Sequence, residues 1–223
     1  MSGSRERATR RSDALSKERI VAVAIEMLDA HGEAAFTFRA LTARLATGAG
    51  AVYWHVADKN ALLVAATDQV IDRVVDDASH VDDPRTAVRE FALGLFDAID
   101  AHPWVGSQLS REPWQVASLQ IFDRFGRQLQ GLGVPEAAQF DCASALLSYV
   151  LGLAGQYAAA ARLLASTTDP AAFEAATDRR YDHLDPARFP FVHRMAAQLR
   201  DHDDRPQFLA GIDVILAGIG TLA

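Results

Sequence analysis

Cysteine is almost absent from this sequence of 223 residues, since Cys142 is the only one. A single thiol cannot form a disulfide within the chain, which excludes the small disulfide-stabilised folds of secreted proteins. The first fourteen residues carry four arginines with no apolar stretch behind them, so the pattern of a secretory signal peptide is also missing. Both absences predict a protein of the reducing cytoplasm. Because Cys142 lies in an apolar run, we interpret it as a buried structural thiol and not as a nucleophile.

Motifs that carry catalysis are lacking as well. No glycine-rich phosphate loop follows a strand pattern, and neither a nucleophile elbow nor a zinc-ligand spacing occurs. The seven histidines have spacings that are common on polar surfaces, as in the pair of His183 and Asp185. We therefore predict no enzymatic activity, no metal site and no cofactor.

Long apolar runs are limited to one. Residues 142–161 carry no charge, and twenty such positions are long enough to span a bilayer. The run is rich in Ala, Gly and Ser and contains Gln156, so we predict no membrane span. A helix that is apolar on all sides is otherwise buried within a protein or between subunits. Gly152 and Gly155 would let another helix approach it closely.

Positive charge is scarce overall but concentrated at the front of the chain. The net charge is −7, which argues against a protein that coats nucleic acid with its whole surface. Residues 1–60 hold nine Lys or Arg against seven Asp or Glu, whereas residues 61–223 hold thirteen against twenty-two. Residues 1–14 are predicted to form a basic flexible arm, because they are rich in Arg and Ser and offer little to bury. This arm is either a solvated leader or a segment that contacts DNA.

Helical periodicity, by contrast, is present almost throughout. Apolar residues recur three and four positions apart and strand-like alternation is scarce, which predicts an all-α fold. Ser16 and Thr37 are suited to cap a first, long helix and a second, short one. Residues 46–48, "ATG", interrupt the pattern before a third short helix, and Asp58 is suited to cap a fourth. Two short helices joined by a tight turn and braced by a longer one predict a helix-turn-helix domain over residues 15–60.

Residues 48–63, "GAGAVYWHVADKNALL", contrast very small side chains with bulky ones. Entry into the major groove favours small residues where the backbone approaches the base edges, a role we assign to Ala49, Gly50 and Ala51. Val52 is predicted to turn into the core. Larger groups that can hydrogen-bond suit the flanking phosphates, and the candidates are Tyr53, Trp54, His55 and Lys59. Lys59 lies on the first turn of the next helix, whose free N–H groups also favour a phosphate.

Two stretches carry a longer pattern, "LSKERIVAVAIEMLDAHGEAAFTFRALTARL" and "VYWHVADKNALL". Together, over residues 15–63, they resemble the TetR (tetracycline-repressor-like) family of bacterial regulators. The positions that match the family pattern one by one are Val52, Tyr53, Trp54, His55, Val56 and Lys59. Further along, "AHPWV" (101–105), "YVLGLAGQ" (149–156) and "LDPARFP" (184–190) resemble the C-terminal ligand-binding and dimerisation domain of the tetracycline-repressor branch.

The resemblance implies specific contacts with DNA. Carried over by position, the candidates for backbone contacts are Thr37, Arg39, Tyr53, Trp54, His55 and Lys59, and Arg39 is also a candidate for a base contact. This chain has Ala46 and Thr47 where the family often has Gly and Val in the turn. It also has Ala49, Gly50 and Ala51 where tetracycline repressors carry a polar reader followed by Pro and Thr. Alanine methyl groups can touch thymine methyls but cannot form bidentate pairs, so we expect a different operator with modest direct readout.

The resemblance also raises a metal site, because tetracycline repressors bind their drug as a magnesium chelate. The family's metal-ligating histidine precedes an "RP" pair by a few residues. The nearest counterpart here is "SREP", residues 110–113, and Gln108 lies where that histidine is expected. We therefore expect a ligand that binds without magnesium.

Residues 61–223 are predicted to form the ligand-binding and dimerisation domain. Aromatic side chains with a few polar groups among Ala- and Leu-rich helices are typical of a pocket for a small apolar molecule, although core packing explains any single one better. The candidates are Phe96, Trp104, Gln108, Trp114, Phe122, Phe125, Tyr149 and Gln156. The helix at 135–164 and the final helix predict a homodimer that meets in a four-helix bundle. The final helix carries one apolar face, formed by Leu209, Ile212, Leu216 and Ile219, with Gly211 and Gly218 permitting close approach.

These features predict a transcriptional regulator, a repressor that leaves its palindromic duplex DNA operator when an unknown small apolar effector binds. The helix at 58–79 belongs to both halves, so a ligand that prefers one tilt of this helix would change the spacing of the two recognition helices. Two alternatives stay open: a helical interaction or ligand-binding module without affinity for DNA, and an enzyme. Salt-sensitive, specific retention on DNA would separate the regulator from both.

Overall fold

The computed structural model describes residues 15–77, 80–112, 115–167, 169, 183–201 and 203–222. These residues form ten helices and no strand, which confirms the all-α prediction. The helices are α1 (Lys17–Ala35), α2 (Phe38–Arg44), α3 (Ala49–Tyr53), α4 (Lys59–Asp77), α5 (Pro84–Ala101), α6 (Pro103–Arg111), α7 (Val116–Gly131), α8 (Glu136–Ser166), α9 (Pro190–Asp201) and α10 (Asp204–Ile219). The predicted arm at 1–14 and the predicted ligand contact Trp114 lie outside the described residues.

The first helices begin at the caps that the sequence predicts. The Ser16 hydroxyl accepts a hydrogen bond from the Arg19 N–H at 3.2 Å, and the Thr37 hydroxyl accepts one from Ala40 at 3.2 Å. Asp58 caps α4 in the same way, through the Ala61 N–H at 2.8 Å. Each cap satisfies a backbone donor that the helix leaves without a partner. The starts of α1, α2 and α4 are therefore fixed by local sequence.

The turn between α2 and α3 contains a residue with a left-handed backbone. Ala46 has a φ of 50°, the only positive value of a non-glycine residue in the described part of the chain. The Ala46 N–H bonds the Ala43 carbonyl at 3.2 Å, and the Thr47 N–H bonds the Thr42 carbonyl at 3.0 Å. This pair of bonds is a Schellman motif, in which glycine is the usual residue at the position of Ala46. The Cβ of Ala46 therefore strains the helix-turn-helix turn, since a side chain in this conformation costs about 1–2 kcal/mol.

We expect Ala46→Gly to raise the free energy of unfolding by about 0.5–1 kcal/mol, because relief of this strain exceeds the entropy that glycine adds to the unfolded chain. Ala30→Gly is the matched control, since Ala30 is exposed and lies inside α1. It should lower the same free energy by about 0.5–1 kcal/mol. Urea unfolding of the two variants measures both values, and a change of the same sign in both would contradict the strain.

α4 leads from the helix-turn-helix into a C-terminal bundle in which α8 packs on α6 and α7. The contact between α6 and α8 is close because Gly106 carries no side chain: a Cβ there would lie 2.5 Å from the Ala154 carbonyl oxygen. Phe91 of α5 and Phe125 of α7 meet edge to face, with ring centroids 5.1 Å apart, in the centre of the core. The bundle is thus built around rings and small residues.

The apolar face of α10 that we predicted for the dimer lies inside the monomer, so this part of the prediction is wrong. Ile212, Leu216 and Ile219 are at most 5% exposed, and Leu209 is partly buried. α10 packs on α5 and α8, where Phe208 stacks on Tyr149 with centroids 5.3 Å apart. The close approach at Gly211 is also internal, because a Cβ there would overlap the hydroxyl of Tyr149. Helices of the same chain cover this face, which sequence periodicity cannot distinguish from cover by a partner subunit.

The opposite faces of α8 and α10 are exposed in the monomer. Exposed positions recur along α8 at spacings of three and four, and they are Ala145, Ser148, Gly152, Gln156, Ala159 and Leu163. On α10 the exposed side chains include Ala210, Val214 and Ala217, and Val214 is 73% exposed. Residues Glu136–Gln156 are long and apolar enough to cross a membrane by length and composition alone, with 28% of the most apolar window buried. Much of the surface of these two helices is therefore uncovered by the monomer.

Candidate DNA interface

The ends of α2 and α3 present most of the predicted DNA contacts to solvent. Val52 and Val56 are buried, at 0% and 4% exposure, so they fix the orientation of α3 as the sequence predicts for Val52. The predicted contacts that are exposed are Thr37, Arg39, Ala49, Gly50, Ala51, Tyr53 and Trp54. His55 and Lys59 are partly buried. The surface combines small residues at the start of α3 with bulky ones at its end.

Two aromatic side chains dominate the end of α3. Tyr53 stacks on Phe38 of α2, with centroids 5.0 Å apart and planes at 15°, and is still 51% exposed. Trp54 is 87% exposed. The short α3 has room for one inward side chain, and Val52 occupies it. The indole N–H and ring of Trp54 therefore face solvent, where a phosphate or sugar could meet them.

The positive groups on this surface differ in how much of them is available. Arg39 is exposed and makes no ion pair within the described residues, so its guanidinium can reach a ligand. Arg44 pairs with Glu26 at 3.2 Å, and both side chains are about 60% exposed. Thr37 uses its hydroxyl oxygen as a helix cap but keeps its O–H proton for donation. Arg39 is thus the best placed cation of α2.

Lys59 is placed differently from the free phosphate ligand that we predicted. Its ammonium donates to the carbonyls of Glu33 and Phe36, at 3.0 and 3.1 Å, and lies 5.7 Å from the centre of the Phe36 ring. These carbonyls lie at and just after the end of α1, where backbone acceptors lack partners within the helix. Two of the three ammonium N–H donors are therefore engaged, which leaves one for a phosphate.

We expect Lys59→Met to lower the free energy of unfolding by about 1–3 kcal/mol, because two backbone carbonyls lose a charged donor. Methionine keeps an apolar stem against Phe36 and so isolates the effect of the ammonium. Lys17→Met is the control, since Lys17 is exposed, and it should change the value by less than about 0.5 kcal/mol. Urea unfolding separates the two. Unchanged stability of Lys59→Met would show that the carbonyl contacts contribute nothing.

Two acidic residues of α1, Asp29 and Glu33, contact the C-terminal bundle. Asp29 Oδ1 accepts a hydrogen bond from the Trp104 indole N–H at 2.7 Å and lies 2.7 Å from His102 Nδ1. Glu33 forms a two-pronged ion pair with Arg111, at 2.9 and 3.0 Å. The hydrogen bond to Glu33 stabilises the charged guanidinium of Arg111 and so raises the pKa of Arg111. The start and end of α6 are thereby fastened to α1.

The start of α4 joins the same contact. Asn60 donates to Glu112 Oε1 at 2.7 Å, immediately after α6 ends. α6 therefore touches both the bracing helix α1 and the connecting helix α4 of the helix-turn-helix. Trp104 is engaged in this contact, and we had predicted it as a ligand contact. Its polar edge faces the N-terminal domain, so it has no free donor for an effector.

The remaining predicted ligand contacts do not form one cluster. Phe125 is fully buried against Phe91, and Phe96 packs on Phe208 with centroids 5.2 Å apart. Tyr149 stacks on Phe208 and donates its hydroxyl proton to the Phe208 carbonyl at 3.2 Å. Phe122 meets the exposed Phe140, and Gln156 is exposed on α8. Most of these aromatic residues serve the core, whereas Gln108 is buried with an unpaired amide nitrogen.

Comparison with known proteins identifies the family to which the chain belongs. Residues 20–66 match the family described as bacterial regulatory proteins, tetR family, and residues 79–223 match the tetracyclin repressor-like C-terminal domain. The chain belongs to the tetR family. The resemblance drawn from residues 15–63 is therefore confirmed, and so is the weaker resemblance of the C-terminal part.

Several relatives of this tetR-family chain are known. The solved structure of the transcriptional regulator SCO7222, a TetR from Streptomyces coelicolor, is 47% identical, covers 94% of this chain and 99% of that one, and superimposes with a TM-score of 0.79. ActR of Streptomyces coelicolor in complex with actinorhodin shares the fold at 23% identity and a TM-score of 0.72, covering 92% of this chain and 95% of that one. An HTH-type transcriptional regulator of Saccharopolyspora erythraea is 28% identical over 148 residues, which are 66% of this chain and 63% of that protein. The chain thus spans less than two thirds of that relative.

The protein is therefore a transcriptional regulator with an N-terminal helix-turn-helix DNA-binding domain and a C-terminal helical domain. Members of its family bind DNA through the first and carry ligand-binding and dimerisation surfaces in the second. Cys142 of this tetR-family chain is 6% exposed, and burial, followed by the charge of Asp141, raises the pKa of its thiol. A raised pKa keeps the thiol protonated, in agreement with its interpretation as structural. In the described ranges no group of three or more His, Cys, Asp or Glu is placed to hold a metal ion.

Three further polar residues of this tetR-family chain escaped the sequence analysis. Thr67, Gln115 and Ser118 are buried, and their side-chain polar atoms have no hydrogen-bond partner. Periodicity could not find them, because a small hydroxyl is compatible with either face of a helix and Gln115 precedes the first turn of α7. Only the packing of α4 against α7 shows that these groups are removed from water.

Proposed function

We propose that the protein is a cytoplasmic repressor without enzymatic activity, which binds a palindromic duplex operator as a homodimer and leaves it when a small molecule binds. Its proposed parts are the arm at 1–14, the DNA-binding domain at 15–60 and the effector and dimerisation domain at 61–223. The observation that carries the proposal is the solvent-facing surface of α3, with Trp54 87% exposed beside three very small residues. An exposed tryptophan does not stabilise a free monomer, whereas in a DNA-bound dimer its ring contacts the DNA.

The distribution of charge supports DNA as the partner of this surface. Residues 15–60 hold five Lys or Arg and five Asp or Glu, so the domain as a whole is neutral. Two of the acids, Asp29 and Glu33, face α6 and are paired there. The cation Arg39 is exposed at the start of α2, near the stacked pair of Phe38 and Tyr53. The acids that would repel phosphate are thus partly withdrawn to the other side of α1.

The proposed contacts divide into two kinds. Ala49, Gly50 and Ala51 let the α3 backbone approach the base edges, with methyl groups that favour thymine. The side chains proposed to contact the phosphates are Thr37, Arg39, Tyr53, Trp54, His55 and Lys59, and Arg39 can also reach a base. Phosphate contacts supply affinity without sequence information, whereas base contacts supply the specificity.

Selection of bound fragments from random duplex DNA tests this function. We expect recovery of a palindrome with half-sites one helical turn apart, about 34–36 Å, or a multiple of that spacing. Affinity for the recovered site should fall steeply as salt rises, because phosphate contacts release counterions. Recovery of no common sequence, or binding that ignores salt, would leave the helical interaction module as the correct class.

The proposed dimer uses the exposed faces of α8 and α10. Val214 and Leu163 are the large apolar side chains there, at 73% and 55% exposure, and small residues such as Gly152 surround them on α8. Two copies related by a twofold axis would pack these faces as a four-helix bundle. The same axis would set the two recognition helices at a fixed distance, as a palindrome requires.

The contacts of α1 and α4 with α6 supply a route from the effector domain to DNA. A ligand that prefers one position of α6 changes the position of α1 through the Arg111–Glu33 and Trp104–Asp29 contacts, and that of α4 through Asn60. The ligand then favours one spacing of the recognition helices. If this spacing does not fit the operator, the ligand lowers the affinity for DNA, and by linkage bound DNA lowers the affinity for the ligand by the same factor. A ligand with equal affinity for both positions would have no effect. ActR with its bound actinorhodin supports a small-molecule effector in a protein of this fold.

A further inference from the structure

Four buried side chains on α4, α6, α7 and the N-cap position of α7 carry polar atoms that lack hydrogen-bond partners. They are Thr67, Gln108, Gln115 and Ser118, with exposures of 0%, 1%, 8% and 1%. The unpaired atoms are Thr67 Oγ1, Gln108 Nε2, both Gln115 amide atoms and Ser118 Oγ. Buried polar groups in folded proteins are almost always paired, and each unpaired one destabilises the fold. Four such residues on neighbouring elements indicate a polar partner outside the chain.

Other hydroxyl groups of the same chain show what the ordinary solution would be. Ser110 donates to the Gly106 carbonyl at 2.8 Å, and Thr42 donates to the Arg39 carbonyl at 3.0 Å. Serine and threonine inside helices commonly make such bonds to the preceding turn. Thr67 and Ser118 do not, although each lies inside a helix. Their hydroxyl groups are therefore free for something else.

The hydroxyl groups flank the junction between α4 and α7. The Ala117 N–H donates to Asp68 Oδ1 at 3.1 Å, and Gln120 donates to Asp72 at 2.6 Å. Thr67 is the neighbour of Asp68, and Ser118 is the neighbour of Ala117. Gln115 occupies the N-cap position of α7, where its side chain makes no capping bond. Gln108 lies on α6, which also packs against α4.

We propose that these four residues form the recognition site for an uncharged small molecule with carbonyl oxygens, such as a lactone, a quinone or an amide. The inference rests on the proposed function, since the molecule would be its effector, and it replaces an entirely apolar effector with a polar class. The unpaired donors are two amide nitrogens and two hydroxyl groups, against the amide oxygens of Gln115 and Gln120 as dedicated acceptors. An excess of donors suits carbonyl oxygens. The half-buried carboxylate of Asp68 at the same junction would repel a carboxylic acid.

Ring compounds matched in shape test the chemistry. Calorimetric titration of the full chain with coumarin, naphthalene and 2-naphthoate compares a carbonyl compound, a hydrocarbon and an anion of similar size, and anthraquinone with anthracene repeats the comparison at a larger size. We expect coumarin or anthraquinone to bind about tenfold tighter than its hydrocarbon, the preference that one or two added hydrogen bonds supply. 2-Naphthoate should bind more weakly than coumarin. Equal affinity of carbonyl compound and hydrocarbon, or no binding up to the solubility limit, would overturn the site.

Variants locate the binding. Gln115→Leu should reduce the preference for the carbonyl compound to about threefold or less, because donors are lost while apolar contact is kept. Ser110→Ala is the matched control, since its hydroxyl is already paired within α6, and it should keep the full preference. A preference that survives in both Gln115→Leu and Thr67→Val would place the ligand elsewhere and overturn the proposal.

Stability gives a readout that needs no ligand. Thr67→Val removes an unpaired buried hydroxyl and should raise the Tm of the free protein by roughly 2–4 °C. A lowered Tm would mean that the hydroxyl has a partner, and the site would fail. Retention on the selected palindrome is measured separately on the unmodified chain. If the palindrome is bound but the carbonyl compounds are not, the DNA function stands and only this site is wrong.

Discussion

Ala49→Glu should weaken operator binding by on the order of 100-fold, about 3 kcal/mol. Ala49 is exposed at the first position of α3, the end that would enter the major groove. A carboxylate there meets both the bases and the flanking phosphates, and repulsion between like charges at an interface costs several kcal/mol. Fluorescence anisotropy with the selected palindrome at several salt concentrations measures the loss.

The control for this variant has the same charge at a distant site. Ala137 is exposed in the first turn of α8, so Ala137→Glu matches the change in net charge and the position at a helix start. It should leave operator affinity within about twofold of the parent, because exposed charges beyond a Debye length are screened. Equal losses in the two variants would mean that net charge alone acts. Unchanged binding of Ala49→Glu would mean that α3 does not enter the groove.

Val214→Glu should convert the proposed dimer to a monomer of 24.2 kDa at micromolar concentration. Val214 is 73% exposed on the outer face of α10, and a twofold axis would bring both copies to the interface. Burial of unpaired carboxylates costs several kcal/mol, so we expect the dissociation constant to rise by at least about 1000-fold. Sedimentation velocity measures the change directly. Affinity for the palindrome should fall with it, because two half-sites are no longer bound by one particle.

Val116→Glu is the control, since this valine is 56% exposed on α7, away from the proposed interface. It should remain a dimer and bind the operator like the parent. Gly152→Glu, on the exposed face of α8, should behave like Val214→Glu. A dimeric Val214→Glu variant would exclude the outer face of α10 from the interface. If Gly152→Glu were then monomeric, the interface would belong to α8 alone.

The DNA-binding half of the protein was largely determined by local sequence. Ser16, Thr37 and Asp58 cap their helices as predicted, because a capping side chain acts on a backbone donor only three residues away. The buried position of Val52 and the exposed ones around it followed from the short length of α3. Lys59 shows the limit of such reasoning. Its place in the first turn of α4 was predicted correctly, but its ammonium binds carbonyls contributed by residues more than twenty positions earlier.

The partners of apolar surfaces were decided only by the tertiary structure. The sequence identified Ile212, Leu216 and Ile219 as one apolar face for the dimer and Phe125 as a candidate ligand contact, but α5 and α8 of the same chain cover the apolar face and Phe91 packs against Phe125. Hydrophobic burial is non-directional, so periodicity specifies that a face is covered and not what covers it. Polar groups are directional, and the pairing of Trp104 with Asp29 and the isolation of Thr67 depend on distances between helices far apart in sequence. The sequence alone therefore determined the family, the helices and the candidate DNA surface, and packing decided which residues remain free to meet DNA, a partner subunit or an effector.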